Sequence, residues 1–133
     1  MALDTSSMEA ALRGVVNFRD DFTMYLKNFL TIESLRALRL VKPLTPVDTG
    51  QLRANWTVTS VTRAGPDTLQ VSLVNNTKYA SFMEYGFTYH TRRGDGWWEG
   101  IHMAELSLLK VREAMPARFE REFNKWLAGI GWL

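Results

Sequence analysis

Cysteine is absent from all 133 residues, which excludes disulfides and thiolate metal sites. Histidine is almost absent too. His90 and His102 are the only two, and no His-x3-His or His-Glu-x-x-His spacing joins them. With Asp95 or Glu99 they are the only source of a metal or proton-transfer site, and two unrelated histidines near a loop are far more often structural. No metal, cofactor or catalytic residue is therefore expected. No serine stands in a Gly-x-Ser-x-Gly elbow, and the glycines of "RRGDGWWEG" do not open a phosphate-binding helix after a buried strand. No apolar run approaches the roughly 20 residues of a membrane span. The first residues lack a basic-then-apolar signal pattern, so the expectation is a protein cytosolic when made. Charge of one sign is also lacking: the net charge is +2, and residues 67–133 balance their Lys/Arg against their Asp/Glu. That is a small excess for a general nucleic-acid binder.

Hydrophobic residues make up 46% of the chain, with seven Phe and five Trp, which rules out a disordered composition. A chain of this length buries about two-thirds of its unfolded surface. With no repeat, low-complexity tract or linker in view, one domain over 1–133 is expected, with flexible ends at 1–7 and 129–133.

The spacing predicts a helix from a Ser6-x-x-Glu9 capping box to about Leu40. Val15, Phe18, Phe22, Tyr25, Leu26, Phe29 and Ile32 form one stripe on it, and Pro43 and Pro46 should stop it. About thirty residues would make a helix of roughly 45 Å, long enough for one end to project or to pack on another subunit. A break near Gly14 or Thr31 is an equal alternative. Trp, Val and Thr over 55–63, a turn at "AGPD" (64–67) and the alternation of Leu69, Val71 and Leu73 predict an antiparallel hairpin. Tyr79, Phe82 and Met83 fit one face of a short helix, capped by Thr77 and ended by Gly86, with a strand as the less well fitting alternative. "FTYHT" reads as a short strand, and "RRGDGWWEG" as a long hairpin loop around its Gly-Asp-Gly. Leu108, Val111, Met115, Phe119, Phe123 and Trp126 form a last helical stripe that keeps phase across Pro116, so a kink is expected there. The fold class is thus α+β: a small antiparallel sheet of about four strands, packed against a long N-terminal helix and a kinked C-terminal helix.

Several features remain as candidate contact points. Arg92 and Arg93 beside Trp97 and Trp98 suit a protein interface or, less well, nucleic acid; equally, one Trp could fold back onto the core. Trp132 lies in the apolar "WLAGIGWL" at the C-terminal end. Glu84, set among aromatics in "YASFMEYGF", could receive backbone amides or an arginine of another loop, or be a solvated charge. In "TPVDTGQLRANW" (45–56), Asp48 or Thr49 can cap a short turn, Gly50 relaxes the backbone and Trp56 opens a strand. That stretch reads as a hinge, with Arg53 as its one candidate intersubunit contact.

The order of these motifs resembles the small tail-completion, or head–tail joining, family of tailed phages, also known as minor tail components. The residues that carry the resemblance are Pro46, Asp48, Thr49, Gly50, Leu52 and Arg53, then Tyr79, Ala80, Glu84, Tyr85 and Gly86. An Arg/Gly/Trp-containing loop and a last helix with "MPARFEREF" follow, so that the similarity spans about 8–128. The loop departs from the family form at Trp98-Glu-Gly-Ile-His-Met. The resemblance implies a structural virion protein, not an enzyme, assembled in the host cytoplasm and located at the head–tail neck. It implies a hexameric ring that completes the tail, meets the head connector or stopper and the tail terminator or tube proteins, and lets genomic DNA pass without specific binding. A tail terminator that stops tube polymerisation is the alternative within phage assembly. A nucleic-acid-binding module using Arg92, Arg93, Trp97 and Trp98 is the alternative from another class.

Overall fold

A computed structural model describes residues 5–47 and 50–131. Helix α1 spans Thr5–Leu44, 40 residues or roughly 60 Å. It runs unbroken through Gly14 and Thr31 and ends four residues later than its proline punctuation suggests. Pro43 falls in the last turn, where it removes one hydrogen bond to the Arg39 carbonyl and the helix ends one residue later. At the other end α1 already includes Ser6, so Ser6 is not the residue before the helix; the capping position falls outside the described residues.

The last turn of α1 is tied to the hinge segment beyond it through Thr45, which is only 1% exposed. The Thr45 hydroxyl donates to the Val41 carbonyl at 2.7 Å and accepts the Trp56 indole N–H at 2.8 Å. Its carbonyl accepts from Arg53 Nη2 at 2.8 Å. Arg53 and Trp56 thereby close the hinge from its far side. Gly50, at φ 81, precedes the short helix α2 (Gln51–Ala54), with no side-chain cap among the described residues. The cap expected from Asp48 or Thr49 lies outside the described residues. Trp56 does open the first strand within the core.

The predicted hairpin forms, but as two stacked ladders. Strands β1 (Trp56–Val58) and β4 (Leu73–Asn75) pair at its base, and β2 (Thr62–Gly65) and β3 (Thr68–Gln70) at its tip, around Pro66–Asp67. Between them the register slips by one residue, and it slips again at Ala64. Such bulges end regular pairing and add twist, so one long hairpin is divided into two short sheets. Leu69, Val71 and Leu73 are half-buried while Gln70 and Ser72 face water, as the alternation requires.

Helix α3 (Ala80–Tyr85) comes next. Its buried residues are Ala80 and Glu84, with Met83 partly buried; Tyr79 and Phe82 of the expected face are exposed. Thr77 contributes its carbonyl to Ala80 N rather than a side-chain cap. Gly86, at φ 90, ends the helix as expected. The region expected to be a long loop is instead an antiparallel ribbon of β5 (Gly86–Thr91) and β6 (Gly94–Glu99), joined only by Arg92–Arg93. Gly94 takes φ 124 at that turn and Gly96 lies under the Tyr89 ring, so these glycines serve a regular ladder and not a flexible loop.

Helix α4 (Met103–Gly129) runs back along α1 and is kinked by Pro116, which leaves the Arg112 carbonyl without its intrahelical donor. Phe18, Phe22, Tyr25 and Phe29 of α1 interleave with Phe119, Phe123 and Trp126 of α4. Phe29 and Phe119 meet edge to face at 5.3 Å, and Phe18 and Trp126 lie 5.6 Å apart at the other end. Nearer the sheets, Val41, Leu52, Trp56, Ala80 and Met103 form the buried core, drawn from α1, α2, β1, α3 and α4. The fold is therefore α+β, with three two-stranded ladders in place of one four-stranded sheet. No helix among the described residues is long and apolar enough to cross a membrane.

Candidate assembly interface

Glu84 is 6% exposed and holds the start of α4. Its Oε2 accepts the Ala104 N–H at 2.9 Å and its Oε1 the Glu105 N–H at 3.0 Å. A carboxylate here meets free amides and the positive end of the helix dipole, a favourable place for it. The same junction is sewn by Ile101 N to Met83 O and His102 N to Glu84 O. Gly100 is needed because a Cβ there would strike the Glu84 carbonyl at 2.2 Å. Glu84 thus receives backbone amides, from within its own chain.

His102 precedes α4 in the left-handed region, φ 56, where few non-glycine residues sit. Its Nε2 lies 3.3 Å from Glu99 Oε1 and its Nδ1 2.9 Å from Glu105 Oε2. The hydrogen bond with Glu99, helped by Glu105, raises the His102 pKa above its usual value. The two carboxylates address opposite ring nitrogens and so do not converge on one point. His90 is engaged separately, its Nδ1 2.7 Å from Asp95 Oδ1 across the ribbon. Among the described residues no three His, Asp or Glu side chains are grouped to hold a metal ion.

The ribbon sorts the Arg/Trp cluster. Phe87 pairs with Trp98 and Tyr89 with Gly96, so these four lie on one face; Thr88 pairs with Trp97 and His90 with Asp95 on the other. Trp97 and Trp98 therefore point to opposite sides. Trp98 is half-buried against Phe87, ring centroids 5.4 Å apart, and Phe87 in turn meets Phe82 edge to face. Trp97 is 57% exposed, its indole N–H 3.4 Å from Glu99 Oε2. Arg92 and Arg93 stand exposed at the tip. The ribbon therefore does not place both indoles on one platform beside both arginines. Arg53 is half-buried against Thr45, away from this ribbon in sequence and contacts. Trp132 lies outside the described residues.

A second exposed surface belongs to α1. Every residue from Thr5 to Asn17 is exposed, including Met8, Leu12, Val15 and Val16 at helical spacing.

One pair escaped the reading of the sequence. Glu33, 3% exposed, is gripped by Arg118 of α4 through both carboxylate oxygens, with Nε to Oε1 at 2.8 Å. Arg36 approaches the same oxygen at 3.5 Å. A signal for Glu33 does exist: it follows Phe29 by four residues and so falls in phase with the α1 stripe, where a charge needs a partner.

Residues 35–86 match the family model described as "Bacteriophage HK97-gp10, putative tail-component". No curated protein and no solved structure matches the chain. The matched stretch runs from the last part of α1 through the hinge and hairpin to the end of α3, and contains both motif segments, Pro46–Arg53 and Tyr79–Gly86. Over these residues the chain carries the sequence pattern of a tailed-phage tail-component family, a family of structural virion parts.

Proposed function

We propose that this protein is a structural component of the phage neck, a ring that completes the tail and joins it to the head around the DNA channel. The family match supplies the tail component. The observation that carries the assembly role is the β5–β6 ribbon. Two strands with both faces largely wet are marginal by themselves, yet this one presents Phe87, Tyr89 and Trp97 to solvent, next to the exposed Tyr85 at the end of α3. Aromatic residues with arginines at the rim are the composition of protein interfaces. The ribbon and the exposed start of α1 are different surfaces of one chain. Contacts between unlike surfaces are heterologous and generate rings when the rotation closes. A hexamer matching the tail's symmetry, with connector or stopper on one side and terminator or tube on the other, is the assembly these surfaces would build. Arg92, Arg93 and Trp97 are its proposed contacts on the ribbon; Arg53 and Trp132 are further candidates, whereas Glu84 and Trp98 support it from within the chain.

The deciding experiment is a reconstruction of the virion neck, together with particles made without this protein. The expected result is density for the chain in a six-fold ring, and separate heads and tails when it is missing. Joined, infectious particles without it would overturn the reading.

A further inference from the structure

The sequence shows no basic stripe, but the helix pair builds one. Arg36, Arg39 and Leu40 of α1 and Lys110, Val111 and Arg118 of α4 line a shallow groove of about 240 Å³. Four of the six carry positive charge. The carboxylate beneath them is Glu33, buried and already held by Arg118 and Arg36. Arg39 and Lys110 are exposed and make no ion pair among the described residues. The excess gathered here exceeds the +2 of the entire chain, so the remaining surface is balanced or acidic.

We propose that this groove binds the phosphate backbone of double-stranded DNA, independently of sequence. Two exposed, unpaired cations, Arg39 and Lys110, facing each other from α1 and α4 beside Arg36, suit neighbouring phosphates. Guanidinium groups match phosphate oxygens with paired donors, and the lining has no Asn or Gln of the kind that reads adenine. The proposal is independent of the neck reading, since the isolated chain should show it.

The test is anisotropy of a labelled duplex of about 20 base pairs, with protein up to about 100 µM, the range of non-specific binding. Salt is varied from about 50 to 200 mM. Binding should weaken linearly in log–log form. Arg39→Ala/Lys110→Ala should lower that slope by about two and weaken binding several-fold, with an unchanged melting curve, because neither residue touches Glu33. Arg92→Ala/Arg93→Ala should leave the slope as it is. Absence of binding at 50 mM salt overturns the proposal, as does binding that survives the groove variant and is lost in the ribbon-tip variant. Loss of self-association in Arg39→Glu/Lys110→Glu, without DNA binding by the parent, would instead assign the groove to carboxylates of a second copy.

Discussion

At the scale of single residues, Glu84 and His102 decide how α4 begins. Glu84→Ala leaves two α4 amides without an acceptor and should cost roughly 2 kcal/mol, read as a lower urea midpoint. Glu84→Gln keeps one acceptor and should lose about half as much. An alanine variant as stable as the parent would show that water caps α4 equally well. His102 carries a pH dependence. Its folded pKa is raised, first by Glu99, so its protonated form stabilises the fold. That contribution is complete below the unfolded value near 6.5 and is lost as pH rises through the raised folded value. The difference in thermal midpoint between the parent and His102→Asn should therefore narrow from about pH 5 to about pH 9. Asn is the replacement that best tolerates the left-handed backbone. A difference that widens with pH would refute the pairing.

Between elements, the α1–α4 pair depends on rings and on one buried ion pair. Removing one partner of a buried pair strands the other charge. Arg118→Ala should thus cost roughly 3 kcal/mol in urea unfolding, while Glu33→Leu/Arg118→Met should recover most of the loss. If single and double variants lose the same stability, the pair contributes packing and not charge compensation. Tyr25 offers the opposite case. Its hydroxyl is buried without a hydrogen-bond partner among the described residues, and burial, with Glu122 nearby, raises its pKa. Tyr25→Phe removes an unsatisfied group at constant shape and should be neutral or stabilising by up to about 1 kcal/mol. A clear loss of stability would mean that the hydroxyl is bonded in solution. Most of both helix stripes is legible in the sequence because apolar residues at three- and four-residue steps leave little freedom; Val15 and Ile32, placed on the α1 stripe by that spacing, are exposed instead, since α4 does not cover them. The Glu33–Arg118 pair is not, because no local rule joins positions this far apart in sequence.

For the whole molecule, the ribbon separates folding from assembly. Trp97→Ala removes an exposed side chain and should change the unfolding free energy by no more than about 0.5 kcal/mol. Trp98→Ala breaks the contact with Phe87 and should cost about 1–2 kcal/mol. Under the neck reading, Trp97→Ala is the variant that yields unjoined particles despite normal stability. Joined, infectious particles at parental yield would remove Trp97 from the interface.

Sequence alone determined the helix stripes, the proline-punctuated hinge, the turn at Pro66–Asp67, Gly86 as a helix stop and the tail-component pattern over 35–86. Each is written in neighbouring residues, where period, backbone preference and missing donors act locally. Tertiary structure decided that "RRGDGWWEG" is mostly strand, that Trp97 and Trp98 face opposite ways, that Glu84 caps a helix beginning some twenty residues later, and that Arg36, Arg39, Lys110 and Arg118 share one groove. Those outcomes turn on pairing register and on the antiparallel return of α4 along α1, which bring together charges and rings that the chain keeps far apart.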